Sequence, residues 1–209
     1  MIMKTKLLIT IAILMSGILF AQNIQLPAPD KTGGKTLMQA LNERQSQRSF
    51  SEKELSMQQI SDMLWAASGV NREDGRMTAP TASNNQQVVI FIGLKGGVYE
   101  YLPKTHELKL IVKGDHRAVF GRQAFTKAAP VTLAFVSDYD KMGKYNDEAK
   151  WKYSCTDVGN VSQNVYLYAA SEGLATVVLG SFDAEPLKKE LGLGNNYVPV
   201  LTQVIGFPK

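Results

Sequence analysis

Met57, Ile60, Met63, Leu64 and Ala67 recur at the three- and four-residue spacing of one helical face. Ser56 and Gln59 frame the start of that helix as a capping box. Leu55 and Ile60 are placed to form its hydrophobic staple, and Gly69 marks its end. Thr36 and Gln39 form a second capping box, opening a short helix with Leu37, Ala40 and Leu41 facing inward. A third apolar face, Val158, Val161, Val165, Tyr168 and Ala169, predicts a helix opened by Asp157 and closed by Gly173. Tyr166 and Leu167 lie off that face. The helix is therefore apolar nearly all round and needs cover on most sides, for which a second copy of the chain is one source. Residues 115–125 are helical in pattern, and Pro186 and Gly192 bound a small late helix.

Continuous or alternating apolar runs predict strands at 88–94, 98–101, 107–112, 131–136, 175–179 and 198–205. Gly96-Gly97 turns the first of these back on the second. Helices interspersed with about five or six strands, several joined by hairpin-like turns, predict an α+β sandwich in one domain spanning 35–209. Residues 70–87 form a long polar loop, and a loop of that length without structure is usually functional or disordered. Residues 138–153 are charged and aromatic, with Tyr139, Tyr145, Trp151 and Tyr153; they read as a lid segment or a plain surface helix.

The first residues follow a different grammar. Lys4 and Lys6 precede an apolar run from Leu7 to Phe20, and Ala21 precedes polar Gln22-Asn23. Charge, a short apolar run and a small residue at the cut predict a signal peptide over 1–21, hence an exported, periplasmic protein with no stable membrane span after cleavage. Residues 22–34 read as a linker or a loosely docked arm.

Composition narrows the chemistry. At 209 residues and 44% hydrophobic the chain can bury one real core. A formal net charge of +4, with no Lys/Arg run or basic-aromatic stripe, argues against nucleic acid as a partner. Cys155 is the only cysteine, and His106 and His116 are the only histidines. Intramolecular disulfides are thereby excluded, no metal-site spacing exists, and nucleophile–histidine hydrolysis has no supporting context.

The most informative stretch is Arg44-Gln45-Ser46-Gln47-Arg48-Ser49-Phe50. Arginine presents a planar, always-charged fork suited to phosphate, and the Ser46 hydroxyl adds a further donor. A solvated polar loop is the alternative reading of those residues taken alone. Downstream lie Pro80-Thr-Ala-Ser-Asn-Asn-Gln-Gln87, the stretch from Asp157 through Gln163-Asn164 to Glu172-Gly-Leu174, Val178-Leu-Gly180 and Val204-Ile-Gly-Phe-Pro208.

In that order these five pieces resemble the nitroreductase superfamily of flavin enzymes. Leu64-Trp-Ala-Ala-Ser-Gly69 and Gly75 to Pro80 look most like its SagB/ThcOx-type dehydrogenase branch. The resemblance implies a nitroreductase-like three-layer sandwich, a central, mainly antiparallel sheet flanked by helices. It further implies FMN held at a homodimer interface, NAD(P)H as a candidate electron donor, and a small-molecule substrate. Arg44, Gln45, Ser46 and Arg48 would then hold the phosphate, with Lys209 standing in for a basic group near the family's C-terminus. Pro80, Thr81, Ala82, Ser83 and Asn84 would line the flavin ring, and Leu179 and Gly180 would approach its other side. Gln45 stands where the family pattern has a second arginine. The implied activity is electron transfer from a reduced donor to a nitroaromatic or quinone. Oxidation of a peptide or small molecule, and flavin binding without turnover, are the alternatives. No particular catalytic residue is singled out.

Overall fold

The computed structural model describes residues 23–209. The expected signal peptide and Gln22 lie outside the described residues. Seven strands, β1 (Ile24–Gln25), β2 (Val88–Leu94), β3 (Gly97–Leu102), β4 (Glu107–Lys113), β5 (Val131–Asp138), β6 (Ala175–Leu179) and β7 (Tyr197–Gly206), form one sheet. Their order is β1-β4-β3-β2-β5-β7-β6, and every pairing is antiparallel. The strand beyond those predicted is β1, whose two residues are too few to show an alternating period.

Strand alternation sorts the core into two layers. Ile90 and Ile92 of β2, with Val131, Leu133 and Phe135 of β5, pack with α2 (Met57–Ser68) and α4 (Asp147–Ser171). Phe91, Ala134 and Val136 point the other way, onto Phe120 and onto Leu187 of α5 (Ala184–Glu190). Every residue of β5 is buried, as a central strand covered on both faces requires.

Four expectations about the helices change. α4 begins at Asp147, not Asp157: Asn146 caps it by accepting from the Ala149 N–H at 2.9 Å. Its first turns carry exposed Asp147, Glu148, Trp151 and Lys152, so no apolar stripe announced them. Residues 115–125 break into a 3-10 turn, Arg117–Phe120, and α3 (Ala124–Ala128). Gly121 lies between them in extended backbone, where a Cβ would sit 2.7 Å from Thr126 Oγ1 and 2.9 Å from Leu179 Cδ1. In α1 (Leu37–Glu43) only Ala40 is buried; Leu37 is 62% exposed and Leu41 44%, so the inward face predicted there is absent among the described residues. Finally, Tyr166 is buried by the chain itself, and Val165 sits in the core beneath α4.

The arm at 23–34 is docked rather than loose. β1 pairs with β4, the Leu26 N–H donates to His106 O at 3.2 Å, and Gln58 Nε2 donates to Ala28 O at 2.9 Å. His106 is the hub. Its Nε2 lies 3.1 Å from Pro27 O and 2.6 Å from Ser61 Oγ, and its Nδ1 lies 2.9 Å from the Tyr101 hydroxyl. A carbonyl can only accept, so Nε2 carries the proton and Nδ1 accepts from Tyr101.

Burial holds the His106 imidazole below its ordinary value of 6.5, against an opposing pull from the Pro27 carbonyl and nearby Asp62; Lys31 adds to the depression. A second proton would aim an N–H at the Tyr101 hydroxyl and leave that buried hydroxyl's own proton without its acceptor. The folded-state value is depressed, so the unfolded chain binds the proton first. This contribution to stability is therefore present above the ordinary value and is lost as pH falls below it. We expect the amides of Ile24, Gln25, Leu26 and Ala28 to exchange faster as pH is lowered below 6.5, after correction for intrinsic exchange rates, and the pH dependence to flatten in His106→Gln. Hydrogen exchange followed by mass spectrometry is the measurement.

Candidate functional site

β6 lies at one edge of the sheet, so its outward N–H and C=O groups need partners. The segment leaving α1 at Arg44 and a tyrosine of α4 supply them. Gln47 N–H donates to Thr176 O at 2.9 Å, and Val178 N–H donates to the Tyr166 hydroxyl at 3.0 Å. That hydroxyl is also hydrogen-bonded to Ser46 Oγ at 2.8 Å. The Arg44 guanidinium carbon lies 5.2 Å from the Tyr166 ring centroid, within cation–π range. Phe50 then bridges Pro208, and Ser51 N–H donates to Phe207 O at 2.9 Å, so the chain's last residues run beside the same segment.

The structure thus gathers most of the expected phosphate group along one edge. Arg44 and Gln45 line a cavity of about 320 Å³ with Gln47, Tyr166, Gly173 and Thr176. Ser46 is fixed through Tyr166. Arg48 is exposed, and exposed Lys209 follows the residue that pairs with Phe50. Neither Arg44 nor Arg48 makes an ion pair among the described residues. Leu179 ends the strand that the segment covers, and Gly180 follows it. A Cβ at Gly180 would meet nothing within 4 Å, so the backbone there faces open space that a flat ligand could approach.

Residues 80–87 are built elsewhere. A 3-10 turn spans Ala82–Asn84, and Ser83, Asn84 and Gln86 have φ of 50°, 54° and 52°. Left-handed backbone is uncommon for residues with a Cβ, so external contacts must hold it. Asp157 Oδ2 accepts from Ala82 N–H at 2.9 Å and from Gln87 Nε2 at 2.6 Å. Thr81 Oγ1 accepts from Gln86 N–H at 2.9 Å, and Gln86 Nε2 donates to Gly75 O at 3.0 Å. Ser83 Oγ and the Tyr145 hydroxyl are 2.7 Å apart. That bond, helped by Lys144, holds the Tyr145 phenol below its ordinary range. Pro80, Ser83 and Asn84 are exposed, while Thr81 and Ala82 are half-buried.

The two groups do not meet within one protomer. Asp157 and Tyr166 are nine residues apart in α4, about 13.5 Å of rise and two and a half turns, so they face opposite sides of the helix. The cavity at Arg44 contains no residue of 80–84. Three residues that organise the site went unrecognised in the sequence. Asp157 read as a cap, Tyr166 as a residue off the apolar face and Tyr145 as part of a lid. A carboxylate beside Val158 in mid-helix would have signalled a buried acceptor, but only once the helix start is placed at Asn146. Gln163 is exposed, and Asn164 Nδ2 donates to Ala66 O at 3.0 Å, a helix-to-helix tie.

The fold defines the class: a three-layer α+β sandwich, here with Arg44, Arg48 and a hydroxyl along one sheet edge, the arginines without ion pairs among the described residues, and a fixed polar loop beyond it. Within that class the chain belongs to the nitroreductase family, whose model matches residues 41–207. It is 30% identical over 193 residues to a Methanocaldococcus jannaschii protein named as a nitroreductase, covering 88% of this chain and 95% of that one. A crystal structure from Ralstonia eutropha, also named as a nitroreductase, superposes with a TM-score of 0.85 at 36% identity over 90% of both chains. One from Anabaena variabilis gives a TM-score of 0.76 at 23% identity, a likeness of fold, and this chain spans 42% of its length.

Tyr166→Phe should destabilise the protein by about 1–3 kcal/mol, because the edge N–H of Val178 loses its partner. Ser46→Ala should cost only about 0.5–1.5 kcal/mol, since the Tyr166 hydroxyl still caps the strand. Urea unfolding midpoints at constant slope would test both.

Proposed function

We propose that this member of the nitroreductase family is an FMN-dependent oxidoreductase. It would move hydride from a reduced donor such as NAD(P)H to a small organic acceptor such as a nitroaromatic or quinone. The observation that carries the reading is the edge of β6, where Arg44 and Arg48, with no carboxylate partner among the described residues, flank a hydroxyl that Tyr166 fixes. Those groups fit a phosphate. The open space at Gly180, one strand-end away, fits a ring.

When bound, FMN supplies the hydride chemistry. The chain's own part is to grip the phosphate through Arg44 and Arg48, to present the backbone at Leu179 and Gly180 to the ring, and to hold the loop 80–84 rigid beside it. Backbone N–H groups and Asn84 would stabilise negative charge that builds on the ring.

The site is complete only in a two-fold homodimer, in which the loop of one protomer reaches the arginine edge of its partner. Opposite placement of the two groups around α4 supports this, as do exposed Leu37, Met38 and Leu41 on α1. We place the chain nearest the SagB/ThcOx-type branch, on the Leu64–Gly69 and Gly75–Pro80 stretches; Gly75 is tied directly into the loop by Gln86. Oxidation of azoline-type rings, tested beside nitroaromatic and quinone reduction, separates the two directions of chemistry. We infer export to the periplasm from residues 1–21, and intact mass of the envelope-fraction protein should place its first residue near Gln22.

Purified protein should be yellow and, by sedimentation, dimeric. Arg44→Ala or Arg48→Ala should weaken FMN binding about ten- to a hundred-fold, the worth of a charged hydrogen bond, and leave riboflavin binding nearly unchanged. Lys109→Ala, on the distant strand β4, should alter neither. Equal FMN affinity in all three variants would sink the phosphate assignment.

A further inference from the structure

We propose that Asp157 and Tyr145 form a two-sided clamp that sets the shape of the loop 80–87, and through it the ring subsite. The proposal rests on the flavin reading above, and both residues are positioning residues. Three of the loop's residues lie in left-handed backbone without being glycine. Such a conformation persists only where its surroundings impose it.

One jaw is internal. Asp157 is 5% exposed, and its single oxygen Oδ2 takes Ala82 N–H just before the left-handed stretch and Gln87 Nε2 just after it. The bond pair therefore brackets Ser83, Asn84 and Gln86. Gln87 is fully buried, so its amide has no solvent to turn to. The other jaw is at the surface. Tyr145 meets the tip of the loop at Ser83 and leans on Tyr153 of α4, ring centroids 4.9 Å apart. Lys141 Nζ adds a bond to Gln86 O at 3.2 Å. Both jaws thus trace back to α4 or to the turn that leads into it, and the loop tip moves with that helix.

The two jaws differ in how they can be removed. Asp157 leaves buried donors behind when it goes, whereas the Tyr145 hydroxyl is exposed and its loss disturbs nothing but the loop tip. Neither reaches the phosphate edge. Loss of either should therefore weaken binding of the ring and leave the contribution of the phosphate intact.

The test uses the full-length mature chain with riboflavin and FMN as probes. Tyr145→Phe should lower affinity for both flavins by the same factor, about three- to ten-fold, and shift the visible absorption band of the bound flavin. Asp157→Ala should do so by about ten-fold or more, and Asp157→Asn should restore binding to within about two-fold, because the amide oxygen still accepts. Arg44→Ala should instead affect FMN alone.

Unchanged riboflavin affinity and an unchanged band in Tyr145→Phe overturn the clamp, even if Asp157→Ala fails to fold. A loss confined to FMN overturns it equally. If the wild type binds neither flavin, the functional reading fails on its own account. The clamp is then decided by hydrogen exchange of amides 82–87, which Tyr145→Phe must accelerate.

Discussion

The unpaired edge of β6 is the constraint on which the site depends. An edge strand offers a row of donors and acceptors that some other chain or segment will satisfy. Here the chain satisfies them itself, with the Gln47 N–H and the Tyr166 hydroxyl. Covering the edge draws Arg44, Ser46 and Arg48 out of α1 into an extended path beside it. The placement of these side chains is thus a by-product of closing a sheet. Arg44 stacks on the same tyrosine that caps the strand, so its cation is held without a carboxylate partner among the described residues.

Elements whose signals are local were legible in the sequence. Both capping boxes form as read, because Thr36 with Gln39 and Ser56 with Gln59 exchange bonds within four residues. β2 and β5 were legible because continuous apolar runs suit strands covered on both faces. The arm was not, since its docking depends on His106, Ser61 and Gln58, far away in sequence. The first ten residues of α4 were hidden by their exposure: Trp151 is 49% exposed and no stripe forms. α1 misled in the opposite sense, because Leu37 and Leu41 have helical spacing yet nothing among the described residues covers them.

Site residues divide the same way. Arg44, Ser46, Leu179 and Gly180 were singled out through a motif, and the fold sets them along or just past one strand edge. The loop residues Pro80 to Asn84 were singled out too, but the sequence offered no sign that they sit on the other side of α4. Tyr166 and Asp157 escaped because their roles are tertiary: one caps a strand, the other serves a loop more than seventy residues away in sequence.

α4 therefore acts as a ruler between the two halves. Between Asp157 and Tyr166 it carries Ser162, which donates to Gln203 Oε1 at 2.9 Å in the buried interior. Gln203 Nε2 donates on to Thr176 Oγ1 at 3.0 Å, and that hydroxyl donates to Val204 O at 2.8 Å. A chain of buried polar bonds is costly to break partway, because each broken link strands a donor or acceptor away from water. Sliding the helix by one residue would break the bonds at Asp157, Ser162 and Tyr166 together. The apolar contacts of Val158, Val161 and Val165 could readjust to such a slip, since they carry no direction. The register of α4 on the sheet is thus set by its polar groups, and with it the separation between the loop at one end and the arginine edge at the other.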